Sequence, residues 1–383
     1  MKLKAQPDDF EVEELMPLKL SASGRFTVYR LEKRLWNTWD VIDFIKRKYR
    51  LGDVRRAGLK DRYSHSFQYV SVKGTGPRVI RERNFELHRL GQSNEPVSLG
   101  LMAGNRFRIV LRDMADAEVA AVKRNLPELQ RFGFANFYDE QRFGSSRHGE
   151  GHIAHRLILG HFNGALKLYM ATPSAFDEAE TRRNKVFLEK NWGDWRLCLK
   201  NSRPEYGTIL RYLSKNPRDF EGALLRVRHE FLSMFLNSYQ SYLWNETLNE
   251  LILSFSLPRI AVPYSGGEML FLKELNPGAE KFFAEHEIPV AAPRTEISNE
   301  RIVRALNLVL TREGLTLADM KPKLRLKGLF FKAYTRRGVV KAEDLRMSRP
   351  MPDDLYPGRR KLELEFRLPP GSYATILVKR LVL

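Results

Sequence analysis

Cysteine is almost missing from this chain: Cys198 is the one thiol in 383 residues. A lone cysteine excludes an intrachain disulfide and a cysteine-rich zinc site, and it suits a reducing cytoplasm. Long apolar runs are missing as well. No uninterrupted apolar stretch of about 18 residues occurs, the length that a membrane-spanning helix needs. The opening Met1 to Phe10 turns acidic at Asp8 and Asp9, where a secretory leader would turn apolar. Three cofactor signatures are also lacking: the Gly-x-x-x-x-Gly-Lys-Ser/Thr phosphate loop, a dinucleotide-binding glycine fingerprint after a strand, and a Gly-x-Ser-x-Gly elbow. These absences point to a cytoplasmic protein whose chemistry uses neither a nucleotide cofactor nor a metal.

Acidic residues are in deficit. Lys and Arg number 65 against 46 Asp and Glu, a formal net charge of +19. An excess of this size suits a phosphate-rich partner, and with no membrane segment in view that partner is nucleic acid. The length allows two domains, each with its own core, and no internal repeat is evident.

Along the chain, Phe26 to Leu31 alternates as a strand, with Phe26, Val28 and Arg30 on one face and Thr27, Tyr29 and Leu31 on the other. Trp39 to Tyr49 has helical spacing, and Thr38 is the expected N-cap. Asn105 to Arg112 is the cleanest period-two segment. Phe107, Ile109 and Leu111 face a core, and Arg106 and Arg108 line the other face, either as an RNA-lining surface or as an ordinary solvated one. From about residue 160 to 261 the period turns helical, most clearly over Phe162–Met170, Ala179–Lys190 and Leu224–Phe255. The aromatic stripe Phe231, Phe235, Tyr239, Tyr242 on the last of these reads as helix core. Met347 to Arg360 reads as a linker, and Tyr373 to Leu381 as a terminal strand. Strands at both ends around a helical middle suggest one sheet domain interrupted by an insertion.

Three blocks carry the candidate chemistry. Ala57-Gly-Leu-Lys-Asp-Arg-Tyr-Ser64 sets Asp61 between Lys60 and Arg62 on a loop feeding a strand. Cations beside a carboxylate keep it available as a base or nucleophile and attract a polyanion, although flanked aspartates are also common in solvated turns. Ala135-Asn-Phe-Tyr-Asp-Glu-Gln-Arg-Phe-Gly144 offers an amide, two aromatics and an arginine, groups suited to holding an unstacked base. The tail from Phe366 to Thr375 adds an aromatic and a Pro-Gly turn. A fourth cluster, His148, His152, His155 and His161 near Glu150, has ligand-like steps. Gly149 and Gly151 disfavour the helix that would align it, so solvated or RNA-facing histidines are the better reading.

Together and in this order, these blocks resemble the TruD family of pseudouridine synthases. Gly58-Leu-Lys-Asp61 with Gln68 is similar to the catalytic signature, Asn136 to Gly144 to a second motif, and Leu368-Pro-Pro-Gly-Ser-Tyr-Ala-Thr375 to a C-terminal one. Lys4-x-x-Pro-Asp-Asp-Phe10-x-Val-x-Glu14 and Gly104-Asn-Arg-Phe107 resemble two more. Phe137-Tyr138 stands where the family has Tyr followed by Phe, which leaves open which ring meets the base.

The resemblance implies an α+β fold: a pseudouridine-synthase catalytic domain with a mixed, largely antiparallel sheet flanked by helices, interrupted by a family-specific inserted α/β domain. The expected parts are 1–158 and 346–383 for the catalytic domain and 159–345 for the insertion. It also implies isomerisation of a uridine in tRNA, typically uridine 13, by a protein expected to act as a monomer. Asp61 would attack the nucleotide or abstract a sugar proton. Lys4 and Phe10 would line the pocket, Lys4 as an ion-pair partner of Asp61. Asn136 would bind the base or order the loop, Tyr138 and Phe366 would pack on the base, and Gln68 and Arg142 would support them. The competing class is a non-catalytic basic RNA-binding protein or chaperone on the same scaffold, in which Asp61 has no role.

Overall fold

The computed structural model describes residues 1–143, 147–148, 151–174 and 177–383. The chain divides into two compact units, Met1–Phe134 with Val340–Leu383, and Ala135–Val339. The break falls earlier than residue 158 because the segment after Ala135 packs into the second unit. Phe137 lies against Phe271, Tyr138 meets the edge of Trp244, and Ile153 and Leu157 enter that unit's core.

The first unit is built on a ten-stranded sheet. Its N-terminal strands are β1 (Phe10–Leu15), β2 (Phe26–Arg34), β3 (Val54–Arg56), β4 (His65–Lys73), β5 (Val79–Glu82), β6 (Phe85–Ser93) and β7 (Gly104–Met114). Glu343–Met347, Met351–Pro352 and Arg360–Leu368 complete it from the other end of the chain. The order runs Glu343–Met347, Arg360–Leu368, β7, β1, β4, β2, β6, β5, with β3 on β4 and Met351–Pro352 on Arg360–Leu368. Within this sheet only β1 and β4 pair in parallel; its other pairs are antiparallel. The sheet is thus mixed and largely antiparallel, as expected.

Alternation sets its two faces. Register places Phe10 opposite Ile109, Val12 opposite Phe107, and Phe366 opposite Phe107 from the other side, all on one buried face. Helix α1 (Thr38–Lys48) covers the far end of that face, burying Val41, Ile42 and Ile45 against Tyr29, Leu31, Val70 and Val72. Each such side chain contributes about 1.5–3 kcal/mol on leaving water. Helix α2 (Asp116–Phe132) packs with the C-terminal helix Ala374–Val382.

Four expectations change here. Asn37, not Thr38, is the N-cap of α1, and Thr38 is its first helical residue. Residues from Ala374 to Val382 form a helix, not a strand. A short apolar run rich in β-branched residues fits either state by pattern, and burial of Ala374, Ile376, Leu377, Val378 and Leu381 decides it. The Met347–Arg360 segment is not a free linker, because buried Asp353 accepts from Arg112 and from the Asp113 N–H, and Arg112 also holds Asp9 at 2.8 Å. Finally, the arginine face of β7 is charge-compensated. Arg106 lies 3.7 Å from Glu13, and Arg108 lies 3.5 Å from Glu11 and 3.0 Å from Glu363, so the ordinary solvated reading applies to this face.

The second unit is mainly helical around His229–Ser254, a helix buried along Leu232, Phe235, Leu236, Tyr239, Leu243, Leu248 and Leu251. The helices Phe162–Met170 and Ala179–Lys190 have the limits read from the sequence. Two antiparallel pairs accompany them, Arg259–Tyr264 with Gly267–Leu272 and Glu287–Pro289 with Thr335–Arg337. His152 packs its ring on Tyr239 and Tyr242, and His155 Nε2 lies 3.0 Å from the Glu313 carbonyl. Among the described residues no three His, Cys, Asp or Glu side chains gather as metal ligands. Gly144, Gly149, Glu150 and the side chain of His148 lie outside the described residues.

On the long helix, burial beside Glu250 and Glu313 pushes the Glu246 carboxyl up to about 7 despite Arg312. A carboxyl that titrates higher folded than unfolded takes away stability as pH rises from the ordinary carboxylate range through about 7. Glu246→Gln is therefore expected to stabilise the protein above that pH by roughly 2 kcal/mol, discounted for partial exposure, and by nearly nothing in acid. Thermal melts of both proteins across that range check it.

Candidate active site

Asp61 sits on the connection between β3 and β4, and buried polar groups of the sheet hold the loop backbone from below. Lys33 comes from β2 with no exposed surface, and its ammonium donates to the carbonyls of Trp36 (2.8 Å), Lys60 (3.3 Å) and Asp61 (2.9 Å). Burial pushes Lys33 down to about 8, opposed by the charge of Asp61 and helped by that of Lys60. The Thr38 hydroxyl accepts from the Lys60 N–H at 3.0 Å and donates to Gln68 Oε1 at 2.9 Å. Gln68, buried on β4, reaches the Gly58 carbonyl at 3.5 Å, and the Ser64 hydroxyl donates to the Asp61 carbonyl at 3.0 Å.

The cations that flank Asp61 in sequence turn elsewhere. Lys60 points into the sheet and forms a buried pair with Glu14 at 2.9 Å, donating also to Asn105 Oδ1 at 2.9 Å. The second Glu14 oxygen accepts from the Tyr69 N–H. Removing one member of such a pair costs about 3–5 kcal/mol, because the other charge is left buried alone. Gly58 belongs to this packing: a Cβ there would come within 3.1 Å of Glu14 Oε1 and 3.3 Å of Lys60 Nζ. Arg62 Nε donates to the Leu35 carbonyl.

The Lys4 ammonium meets the Asp61 carboxylate, 2.6 Å from Oδ2, with both side chains about three-quarters buried. Lys4 takes a left-handed backbone at φ 58°, a conformation that costs a non-glycine residue free energy and gathers at functional sites. Its Nζ also lies 4.3 Å from the Phe10 ring centre. Phe10 meets Phe107 edge-on at 6.1 Å, and Phe107 stacks on Phe366 at 5.3 Å, so a row of three rings crosses β1, β7 and Arg360–Leu368. Gly104 lets β7 close on that last strand, since a Cβ there would stand 2.6 Å from the Leu368 carbonyl oxygen.

The remaining expected residues belong to the second unit. Asn136 is buried, donates to the Arg337 carbonyl at 3.0 Å, and accepts from Arg336 at 2.7 Å. Tyr138 is buried, exchanges two hydrogen bonds with Asn245, and shares a 3.0 Å hydroxyl contact with Tyr334. Arg142 donates to the Ser241 hydroxyl at 3.0 Å. Phe137 is fully buried.

The profile of the family tRNA pseudouridine synthase D (TruD) matches residues 1–381. The chain belongs to the TruD family. It is 32% identical to the "Probable tRNA pseudouridine synthase D 2" of Methanocaldococcus jannaschii, over 99% of this chain and 91% of that one. It is 31% identical to the tRNA pseudouridine synthase D of Leptospira interrogans, over 100% of this chain and 96% of that one. A solved TruD structure from Methanosarcina mazei, 24% identical, superposes with a TM-score of 0.73 over 99% of this chain and 93% of that one. TruD proteins are tRNA pseudouridine synthases, and this chain is such an isomerase.

Four further residues of this TruD chain hold the Asp61 loop without standing out in its sequence. Glu14 and Asn105 stood inside matched blocks but had no role assigned. Thr38 was read as a cap. Lys33 left a usable signal: it extends the Thr27, Tyr29, Leu31 face of β2 by one more step, and a lysine on a buried face calls for buried acceptors.

Proposed function

We propose that this TruD protein converts uridine 13 of tRNA to pseudouridine, with Asp61 as its catalytic group. The observation that carries the reading is the Lys4–Asp61 pair, 2.6 Å long, on a loop anchored by buried hydrogen bonds next to a row of aromatic rings. A carboxylate fixed so firmly is preorganised for one bond-making step.

The reaction is redox-neutral and needs no co-reactant. The bond from the sugar C1′ to N1 of the uracil breaks, a bond from C1′ to C5 forms, C5 gives up its proton and N1 gains one. The uridine first leaves its stack, at a cost of a few kcal/mol. Asp61 then attacks the nucleotide or removes a sugar proton, and Lys4 fixes which carboxylate oxygen faces the substrate. Phe10 and Phe366 supply apolar surface for the detached uracil, which must stay bound while it turns. Gln68 orders the loop. Asn136, Tyr138 and Arg142 belong to the 135–339 unit, which we read as the family-specific insertion and the seat of substrate choice. Their hydrogen bonds within that unit support an ordering role for Asn136.

Incubation with unmodified tRNA transcripts, followed by chemical mapping of pseudouridine, tests the target. The expected product is a single pseudouridine at position 13. Pseudouridine at another position would overturn the choice of uridine, and its absence from every transcript would overturn the activity.

A further inference from the structure

Two side chains beside the Asp61 loop form a feature that none of the roles above uses. Arg56, at the end of β3, lays its guanidinium over the Trp39 ring, 3.7 Å from the ring centre. Trp39 is the second residue of α1 and is 48% exposed. The pair adjoins the loop closely, because the preceding residue, Thr38, is hydrogen-bonded to the Lys60 N–H.

Arg56 is electrostatically incomplete. Its Nε is buried with no hydrogen-bond partner, and burial lowers the pKa of its guanidinium with no acid nearby to offset it. Its neighbours differ in this respect: Arg55 is paired with Asp53 at 2.7 Å, and Arg62 holds a carbonyl. A half-buried arginine whose Nε lacks an acceptor, with no acid beside it, is suited to complete its bonding with an anion. The neighbouring Asp61 loop also presents exposed apolar surface. Leu59 is 55% exposed and Tyr63 is 46% exposed. An exposed indole, a cation stacked upon it and a missing anion match one ligand chemistry, an unpaired nucleotide, whose base stacks on the ring and whose phosphate meets the guanidinium.

We infer that the Trp39–Arg56 pair is an RNA platform that holds an unpaired nucleotide of the tRNA substrate next to the flipped uridine. The inference rests on the tRNA reading of the Asp61 site, and it adds a contact outside the catalytic loop. A nucleotide captured there stabilises the substrate with its local stacking already opened, which is the state that the active site has to receive.

The test uses the full-length protein, an unmodified tRNA transcript, and four variants: Trp39→Ala, Trp39→Phe, Arg56→Ala and Arg56→Lys. Two quantities are read, the dissociation constant across a salt series and the rate of pseudouridine formation at saturating enzyme. Trp39→Ala is expected to weaken binding about tenfold, and Trp39→Phe to recover most of that loss, since a phenyl ring still stacks. Arg56→Ala should weaken binding and lower the salt slope by about one, and Arg56→Lys should restore the slope without the full affinity. The loss should fall more heavily on affinity than on the saturating rate. Unchanged affinity and salt slope in both alanine variants would overturn the inference and leave the surface to a protein partner. A loss of saturating rate at unchanged affinity would overturn it too, by making the pair a support for the loop. Phe and Lys variants as impaired as the alanine ones would mark a folding defect and likewise count against it. Affinity is read separately from product, so a wild type that binds tRNA but makes no pseudouridine would overturn the proposed function and not this contact.

Discussion

Asp61→Asn is expected to lower pseudouridine formation on the order of 10⁴-fold, to the limit of detection. The amide keeps the size and hydrogen-bonding shape of the carboxylate but can neither act as a nucleophile nor accept a proton. The loop that carries it is held mainly through backbone groups, by Lys33, Thr38 and Gln68, so the substitution leaves those bonds in place. The pair with Lys4 loses its negative partner. That pair is partly exposed, and its contribution to stability is about 1 kcal/mol or less. Affinity for tRNA should stay level or rise slightly, because one negative charge has been removed from a surface that meets phosphates. Melting curves, a binding isotherm and a single-turnover assay on one preparation separate these effects. A folded, RNA-binding and inactive protein is the expected combination.

Lys33→Met is expected to cost a factor of about 10²–10³ in rate, although Lys33 meets neither base nor sugar. Its ammonium joins three carbonyls, two of them belonging to Lys60 and Asp61. Methionine fills the same volume and leaves those acceptors without their donor, at about 1–3 kcal/mol for a buried group. Against this, the variant no longer buries a cation whose burial pushes it down to about 8. The two changes oppose each other, so stability should move little while loop geometry and rate suffer. The same side chain has a pH signature. Because it loses its proton more easily folded than unfolded, stability rises with pH from about 8 towards the ordinary lysine range. Activity should run the other way: above about 8 the cation beneath the loop is discharged, and one of its three donors is gone. Burial sets this value first; among charged groups Asp61 opposes the lowering and Lys60 adds to it. A rate that falls on an alkaline limb while the melting temperature holds, with the limb absent from Lys33→Met, would assign it to this residue. An identical limb in the variant would assign it elsewhere.

Much of this is legible in the amino-acid sequence itself. The alternation in β7 gave the correct buried face, and the periods over Phe162–Met170 and Ala179–Lys190 gave helices with the observed limits. The position of Asp61 in a loop ahead of a strand was also apparent, and matched blocks far away in sequence singled it out. Its electrostatic surroundings were not. Lys60 and Arg62 flank it in sequence, yet both turn away, and the cations that act on it come from Lys4 and Lys33 through tertiary contacts. Local charge pattern carries no record of such contacts. The C-terminal helix was misjudged for a different reason: Ala374 to Val382 is a nine-residue run rich in β-branched residues, short enough to fit a strand as readily as a helix by pattern. The arginines of β7 suggested a basic surface until cross-strand register placed Glu11, Glu13 and Glu363 beside them.

The most direct test of the account is a single-turnover experiment with enzyme in excess over an unmodified tRNA transcript, comparing wild type with Asp61→Asn at equal RNA occupancy. The account predicts close to one pseudouridine per transcript for the wild type and none for the variant. Product from Asp61→Asn at a rate near that of wild type, or no product from wild type bound to its RNA, would contradict it.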